Sequence, residues 1–142
     1  MKVNRYFIDT CIWRDFYENR TSKSNRPIGK YAADLFMKIL NKKYKILFSI
    51  ALVWELKKDY DEKEINDMLN ILFINDTLKR VEITRKEYQE AKQLSAERDI
   101  PFIDSLNAIQ ARGHNAVMVS RDEHFIRDLS DIVKSLRPED IR

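Results

Sequence analysis

AVMVSRDEHF, running from Ala116 to Phe125, is the stretch whose reading decides the fold. Its first four residues, Ala116 to Val119, are apolar and stop abruptly at Ser120, Arg121 and Asp122. A short apolar run closed by polar residues predicts a buried strand. A helix-like segment ending at Gly113 precedes it, so helix, strand and polar tip follow one another as in an α/β unit. Ligands of open α/β sheets bind where the carboxyl ends of the strands emerge. Asp122 falls on that edge, and the question becomes whether other carboxylates meet it there.

Working outward, Val3 to Asp9 reads as a first strand, followed by a turn or short helix through Cys11, Ile12 and Trp13. Residues 18–27, ENRTSKSNRP, carry the longest loop signal. Ile28, Tyr31, Ala32, Leu35, Phe36, Ile39 and Leu40 recur at three- and four-residue steps, which predicts an amphipathic helix opened by Pro27. Ile46 to Phe48 is a second short strand, and Ser49 caps a helix carrying Ala51, Leu52, Trp54, Glu55 and Leu56. Another helix covers roughly 62–74, and KRVEI at 79–83 alternates as a half-exposed edge strand. Thr84-Arg85-Lys86-Glu87 is a capping box for a helix to about Arg98. Pro101 opens the next helix and Gly113 closes it. Asp122 can cap a helix over 123–129, residues 132–136 form a last edge strand, and Pro138 breaks the pattern. Strands alternating with helices imply a parallel sheet covered on both faces.

The 142 residues favour one domain, 1–142, with a sizeable core. Apolar residues are 44% and charged residues 35%, a globular rather than disordered balance. One cysteine, Cys11, excludes an internal disulfide and suits a reducing compartment. No apolar run approaches a membrane span, and Tyr6-Phe7-Ile8 is too short for a signal peptide, so a cytoplasmic protein is expected. Only Gly29 and Gly113 are glycines, which rules out a P-loop or a dinucleotide fingerprint. The net charge of +3 says little by itself. The basic residues cluster as Arg20, Lys23, Arg26 and Lys30, then Lys42, Lys43 and Lys45, a distribution that suits either a phosphate-backbone ligand or a solvated surface.

Four carboxylates stand out. Asp9 ends the first strand and either caps the next turn or faces a site. Glu55 has Ala51 and Leu52 on its helix face, where a glutamate is costly unless paired, coordinated or at the border of the stripe. Asp104 lies in the first turn of its helix, where the dipole favours a negative charge, yet it shares a face with Ala108 and Ala111. Asp122 and Ser120 follow the organising strand. Asp9 and Asp122 emerge at strand ends, and Glu55 and Asp104 near helix starts, on the same edge. Clustered carboxylates stay ionised together only when a cation offsets them. Oxygen ligands suit Mg²⁺ or Mn²⁺, ions that assist in-line displacement at phosphorus.

At YFIDTCIW, FSIALVWEL, IPFIDSLNAIQAR and VMVSRDEHF the sequence resembles the PIN-domain family, and within it the VapC-like toxins of prokaryotic toxin–antitoxin pairs. The resemblance runs from residue 5 to about 140, with LRPEDI similar to the family's closing segment. It implies a three-layer α/β fold with a central five-stranded parallel sheet of order 3-2-1-4-5 flanked by helices. It implies a Mg²⁺- or Mn²⁺-dependent endoribonuclease leaving 3′-hydroxyl and 5′-phosphate ends. Asp9, Glu55, Asp104 and Asp122 would hold the metal, and the hydroxyls of Thr10 and Ser120 would orient carboxylates. An RNA substrate, a cognate antitoxin and a homodimer are the implied partners. Cys11 stands where relatives often carry asparagine or another small polar residue.

Other readings are a PIN nuclease of RNA processing, an aspartyl-phosphate protein and a non-catalytic binding module. A dehalogenase-type phosphatase needs a second aspartate where Cys11 stands, and no receiver-type acid pair is evident. All four acids are present, which argues against a decayed module. His114 and His124 read as surface residues, Trp13 and Trp54 as core or dimer contacts, and Cys11 as packing. Arg14 suits a phosphate, an antitoxin or plain solvent equally.

Overall fold

Alternation along three central strands divides the core into two layers. Tyr6 and Ile8 of β1 (Arg5–Ile8), Ile46 and Phe48 of β2 (Lys45–Phe48), and Val117 and Val119 of β4 (Val117–Val119) face one side. Phe7, Leu47 and Met118, the residues between them, face the other. A period of two on strands buried on both faces is what a sheet sandwiched between helix layers requires. These assignments come from a computed structural model, which describes residues 4–141. The expected start of the first strand at Val3 lies outside the described residues.

The sheet has five strands, all parallel, in the order β3-β2-β1-β4-β5, as expected. Here β3 is Leu78–Arg80 and β5 is Ser135–Leu136. The edge strand at 79–83 is shorter than its alternation suggests and starts one residue earlier. One helix layer contains α1 (Thr10–Glu18), α2 (Ile28–Lys42), α3 (Ile50–Leu56) and α4 (Glu62–Ile74). The other is built on α5 (Arg85–Arg98) and α6 (Phe102–Gly113). Among the described residues no helix is long and apolar enough to cross a membrane.

Local chemistry explains most boundaries. Asp9, Ser49, Asp61 and Thr84 each cap the helix that follows, the last two as full capping boxes with Glu64 and Glu87. Asn19, Lys43, Asp99 and Asn115 take left-handed conformations just past helix ends, the place glycine usually fills. That is how a chain with two glycines closes its helices. The segment after Asp9 is a full nine-residue helix rather than a short turn. Its length follows from Ile12, Trp13 and Phe16, which pack on the sheet and on Phe36 of α2. After β4 the chain makes a single wide π-helical turn, His124–Asp128, in place of the α-helix expected over 123–129.

Gly29 is required by close approach. A Cβ there would stand 2.6 Å from the Asn19 Cα and 2.7 Å from the Arg20 nitrogen, and the Gly29 N–H donates to the Arg20 carbonyl at 2.9 Å. Backbone cannot give way as a flexible side chain can. We expect Gly29→Ala to destabilise the fold by about 2 kcal/mol, read as a lower urea midpoint at unchanged slope. An unchanged midpoint would show that the loop relaxes freely.

Candidate metal centre

The strand order reverses at β1. The chain runs from β1 outward to β2 and β3, then returns to place β4 on β1's other side. Crevices form at the carboxyl ends of strands flanking such a switch. Ile8 pairs with Val119, and the Asp9 N–H donates to the Val119 carbonyl at 2.9 Å. The residues that follow each strand, Asp9 and Ser120, are therefore neighbours by register.

Asp9 is 6% exposed and held from three directions. The Thr10 backbone N–H donates to Oδ1 at 2.8 Å, the Ser120 hydroxyl to Oδ2 at 2.8 Å, and the Cys11 thiol to Oδ2 at 3.4 Å. Thr10 thus reaches Asp9 through its backbone, where a hydroxyl was expected. Ser120 also accepts from the Asp122 N–H at 2.9 Å, so one buried hydroxyl links both aspartates. Burial and the adjacent Asp9 push the Cys11 thiol well above its ordinary pKa, keeping it a protonated donor.

Asp104, in the first turn of α6, closes the arrangement. Its Oδ2 lies 2.9 Å from Nδ1 of His124, and the same nitrogen lies 3.2 Å from Oδ1 of Asp122. Ligand atoms of Asp104, Asp122 and His124 all fall within 4.8 Å of one another. His124, read from sequence as a surface residue, is the member that sequence reasoning missed. Its spacing two residues after Asp122 was a signal in retrospect, since the His124 backbone N–H donates to Asp122 Oδ1 at 2.9 Å.

The electrostatics are those of a site short of positive charge. Desolvation, then Asp9 and Asp122, raise the Asp104 carboxyl from 3.8 to about 6. Desolvation also raises Asp9, against the hydrogen bonds it accepts. Burial opposes protonation of His124, but Asp104 and Asp122 override it and raise its pKa. Among the described ion pairs, Asp9 has no lysine or arginine, and Asp104 and Asp122 have only His124. Two carboxylates and an imidazole converging without a fixed cation form a donor set that a divalent metal fits.

Glu55 lies apart from these contacts. It is partly buried on α3, and its carboxylate pairs with Lys58 at 2.9 Å. Its backbone carbonyl accepts from Arg14, which also pairs with Asp59 at 2.7 Å. Arg14 therefore ties α1 to α3. Trp13 is fully buried and donates to the Ile8 carbonyl, whereas Trp54 is 47% exposed.

Below the site, Arg121 forms a two-pronged pair with Glu139 at 2.8 and 2.7 Å, and its Nε lies 3.6 Å from the buried Asp15. Desolvation would raise Glu139, but Arg121 overrides it and holds the carboxyl below its ordinary value. Arg26 joins Glu139 at 3.2 Å, and both arginines lie over the Tyr31 ring.

Because Ser120 serves two aspartates, we expect Ser120→Ala to weaken divalent-ion binding about 10- to 100-fold, measured by calorimetry. Unchanged affinity would mean that the hydroxyl organises nothing.

Fold and site together define a three-layer α/β protein with an acidic cluster at the β1/β4 switch. The chain belongs to the PIN-domain family, whose model matches residues 6–128. Its fold is similar to that of a toxin–antitoxin complex from Klebsiella pneumoniae, at TM-score 0.63 and 15% identity, covering 94% of this chain and 97% of that one. It is similar to VapBC2 from Rickettsia felis bound to a promoter DNA fragment, at TM-score 0.64 and 18% identity, covering 94% and 98%. It is also similar to FitAcB from Neisseria gonorrhoeae, at TM-score 0.62 and 15% identity, covering 96% and 99%. A comparison with curated proteins finds no match.

Proposed function

We propose that this chain is a Mg²⁺- or Mn²⁺-dependent endoribonuclease acting as the toxin of a toxin–antitoxin pair. One observation carries the reading. Asp9, Asp104 and Asp122 come from three separate elements to one strand edge, and among the described residues no lysine or arginine pairs with them. A divalent ion held there would supply Lewis-acid chemistry toward a phosphoryl group and a bound water.

In this reading Asp104, Asp122 and His124 would hold the ion, with Asp9 contributing its charge from the end of β1. Glu55 would complete the acid set only if its pair with Lys58 were broken. Ser120, the Cys11 thiol and the Thr10 N–H fix the Asp9 carboxylate, so the site needs little reorganisation. The oxygen of water bonds to phosphorus as the 3′ oxygen leaves with a proton, giving 3′-hydroxyl and 5′-phosphate ends.

The toxin part rests on the likeness to toxin–antitoxin structures. Exposed Trp54 on α3, and Ile71, Phe73 and Ile74 on α4, offer apolar surface to an antitoxin. A second copy of the chain, giving a homodimer, belongs to the same reading and is measurable by light scattering. A small antitoxin gene next to this one separates the toxin from an RNA-processing nuclease.

The test is RNA cleavage with Mg²⁺ or Mn²⁺ by wild type and Asp9→Asn. Asp9→Asn keeps shape while removing charge, and is expected to lower cleavage at least 10²-fold, roughly the cost of losing one preorganised charge contact. Undiminished cleavage would remove the nuclease reading.

A further inference from the structure

We infer that His124 sets which metal this site prefers, favouring a transition ion such as Mn²⁺ over Mg²⁺. The inference rests on the metal-dependent reading above and adds the ion's identity to it. Sequence alone presented four acids, an all-oxygen set suited equally to Mg²⁺ and Mn²⁺. The structure adds a nitrogen. Nδ1 of His124 lies 2.9 Å from Asp104 Oδ2 and 3.2 Å from Asp122 Oδ1, so the ring edge that could ligate faces both carboxylates.

Three features hold the imidazole there. The His124 N–H donates to Asp122 Oδ1 at 2.9 Å, which fixes the backbone that carries the ring. The His124–Asp128 turn is π-helical, and the next residue, Phe125, is fully buried in the core. Phe125 anchors the turn against the sheet while His124 stays at the rim of the crevice. The ring is about one-third exposed, so an ion can reach it from solvent without unfolding the turn.

Ligand softness gives the direction. Mg²⁺ demands near-ideal octahedral oxygen geometry and dehydrates reluctantly, so a nitrogen donor contributes little to it. Imidazole binds first-row transition ions better, in an order that rises from Mn²⁺ through Co²⁺. Exchanging one oxygen position for Nδ1 therefore raises affinity for Mn²⁺ and Co²⁺ more than for Mg²⁺.

The experiment measures equilibrium binding of Mn²⁺, Mg²⁺ and Co²⁺ by calorimetry to wild type, His124→Asn and His124→Asp. Thermal melts confirm that each variant is folded. The ratio of the Mg²⁺ to the Mn²⁺ dissociation constant is expected to fall about tenfold in both variants. In His124→Asp the Mg²⁺ constant stays the same or tightens. The Co²⁺-loaded wild type should show a paramagnetically shifted imidazole N–H resonance that both variants lack. An unchanged ratio, or the same shifted resonance in His124→Asn, overturns the assignment of His124. Should wild type bind none of the three ions, this inference and the metal-dependent reading fall together. Should Asp9→Asn still cleave RNA while the ratio shifts as expected, only the nuclease reading falls.

Discussion

Asp104→Asn should stabilise the metal-free protein by about 2 kcal/mol at pH 7.5 while lowering RNA cleavage at least 10²-fold. Both effects have one cause. The Asp104 carboxyl is raised from 3.8 to about 6 by desolvation and by Asp9 and Asp122. Each unit corresponds to about 1.4 kcal/mol, and the 15% exposure of the side chain trims the total. The sign follows from linkage. The folded state binds this proton more tightly than the unfolded chain, so stability falls as pH rises from about 4 to about 6. Above about pH 6 the whole penalty is present. Asparagine removes it, so the variant's advantage is full at pH 7.5, shrinks below pH 6 and vanishes near pH 4. On the proposed metal role of Asp104, adding Mn²⁺ should reverse the order, because a ligand at 100-fold its dissociation constant stabilises by about 2.7 kcal/mol and the variant would lack a carboxylate oxygen to offer it. Melts of both proteins with and without Mn²⁺, across pH 4–8, make the check. A variant less stable than wild type without metal at pH 7.5 would contradict the electrostatic account of the site.

The second large effect is expected at Arg121. Its guanidinium, 17% exposed, lies between Glu139 and Asp15, themselves largely withdrawn from water. Arg121→Ala leaves two carboxylates without their shared cation and should cost about 3 kcal/mol, the scale of breaking a buried pair from one side. The pH dependence runs opposite to that of Asp104. Arg121 holds Glu139 below its ordinary pKa, so this pair stabilises above the unfolded value and is lost as pH falls through the folded one. The variant's deficit is therefore largest at neutral pH and narrows in acid. Ser120 and Asp122 flank Arg121 in the chain, so metal binding should weaken as well. Glu139→Gln, which keeps hydrogen-bonding capacity, should cost distinctly less. Urea unfolding at pH 7 and pH 4 measures both variants, and an Arg121→Ala midpoint equal to wild type at pH 7 would refute the lock.

The lock also shows why the end of the chain matters to a site built near its start. The family match ends at residue 128, yet Glu139, eleven positions further, grips the residue between Ser120 and Asp122. The final 3₁₀ turn, Pro138–Asp140, thereby braces the loop that carries Asp122.

Much of this was written locally. Apolar runs of three or four residues ending in Asp9 and Ser120, and caps at Ser49 and Thr84, placed strands and helices within a residue or two. The two capping boxes are sequence-adjacent hydrogen bonds, which is why Thr84-Arg85-Lys86-Glu87 was legible without coordinates. Nine-residue α1 was underestimated because its stability comes from packing on α2, a partner the local pattern does not reveal.

What the chain alone determined was the edge on which Asp9, Asp104 and Asp122 emerge, because strand ends and helix starts follow from short-range periodicity. Only the tertiary structure decided which groups meet. His124 faces Asp104 across 20 residues of sequence, and Glu55 rests on Lys58 one helical turn away. Both outcomes depend on how the layers close over the β1/β4 switch, and distances between layers are set by packing of the whole core rather than by any local run of residues.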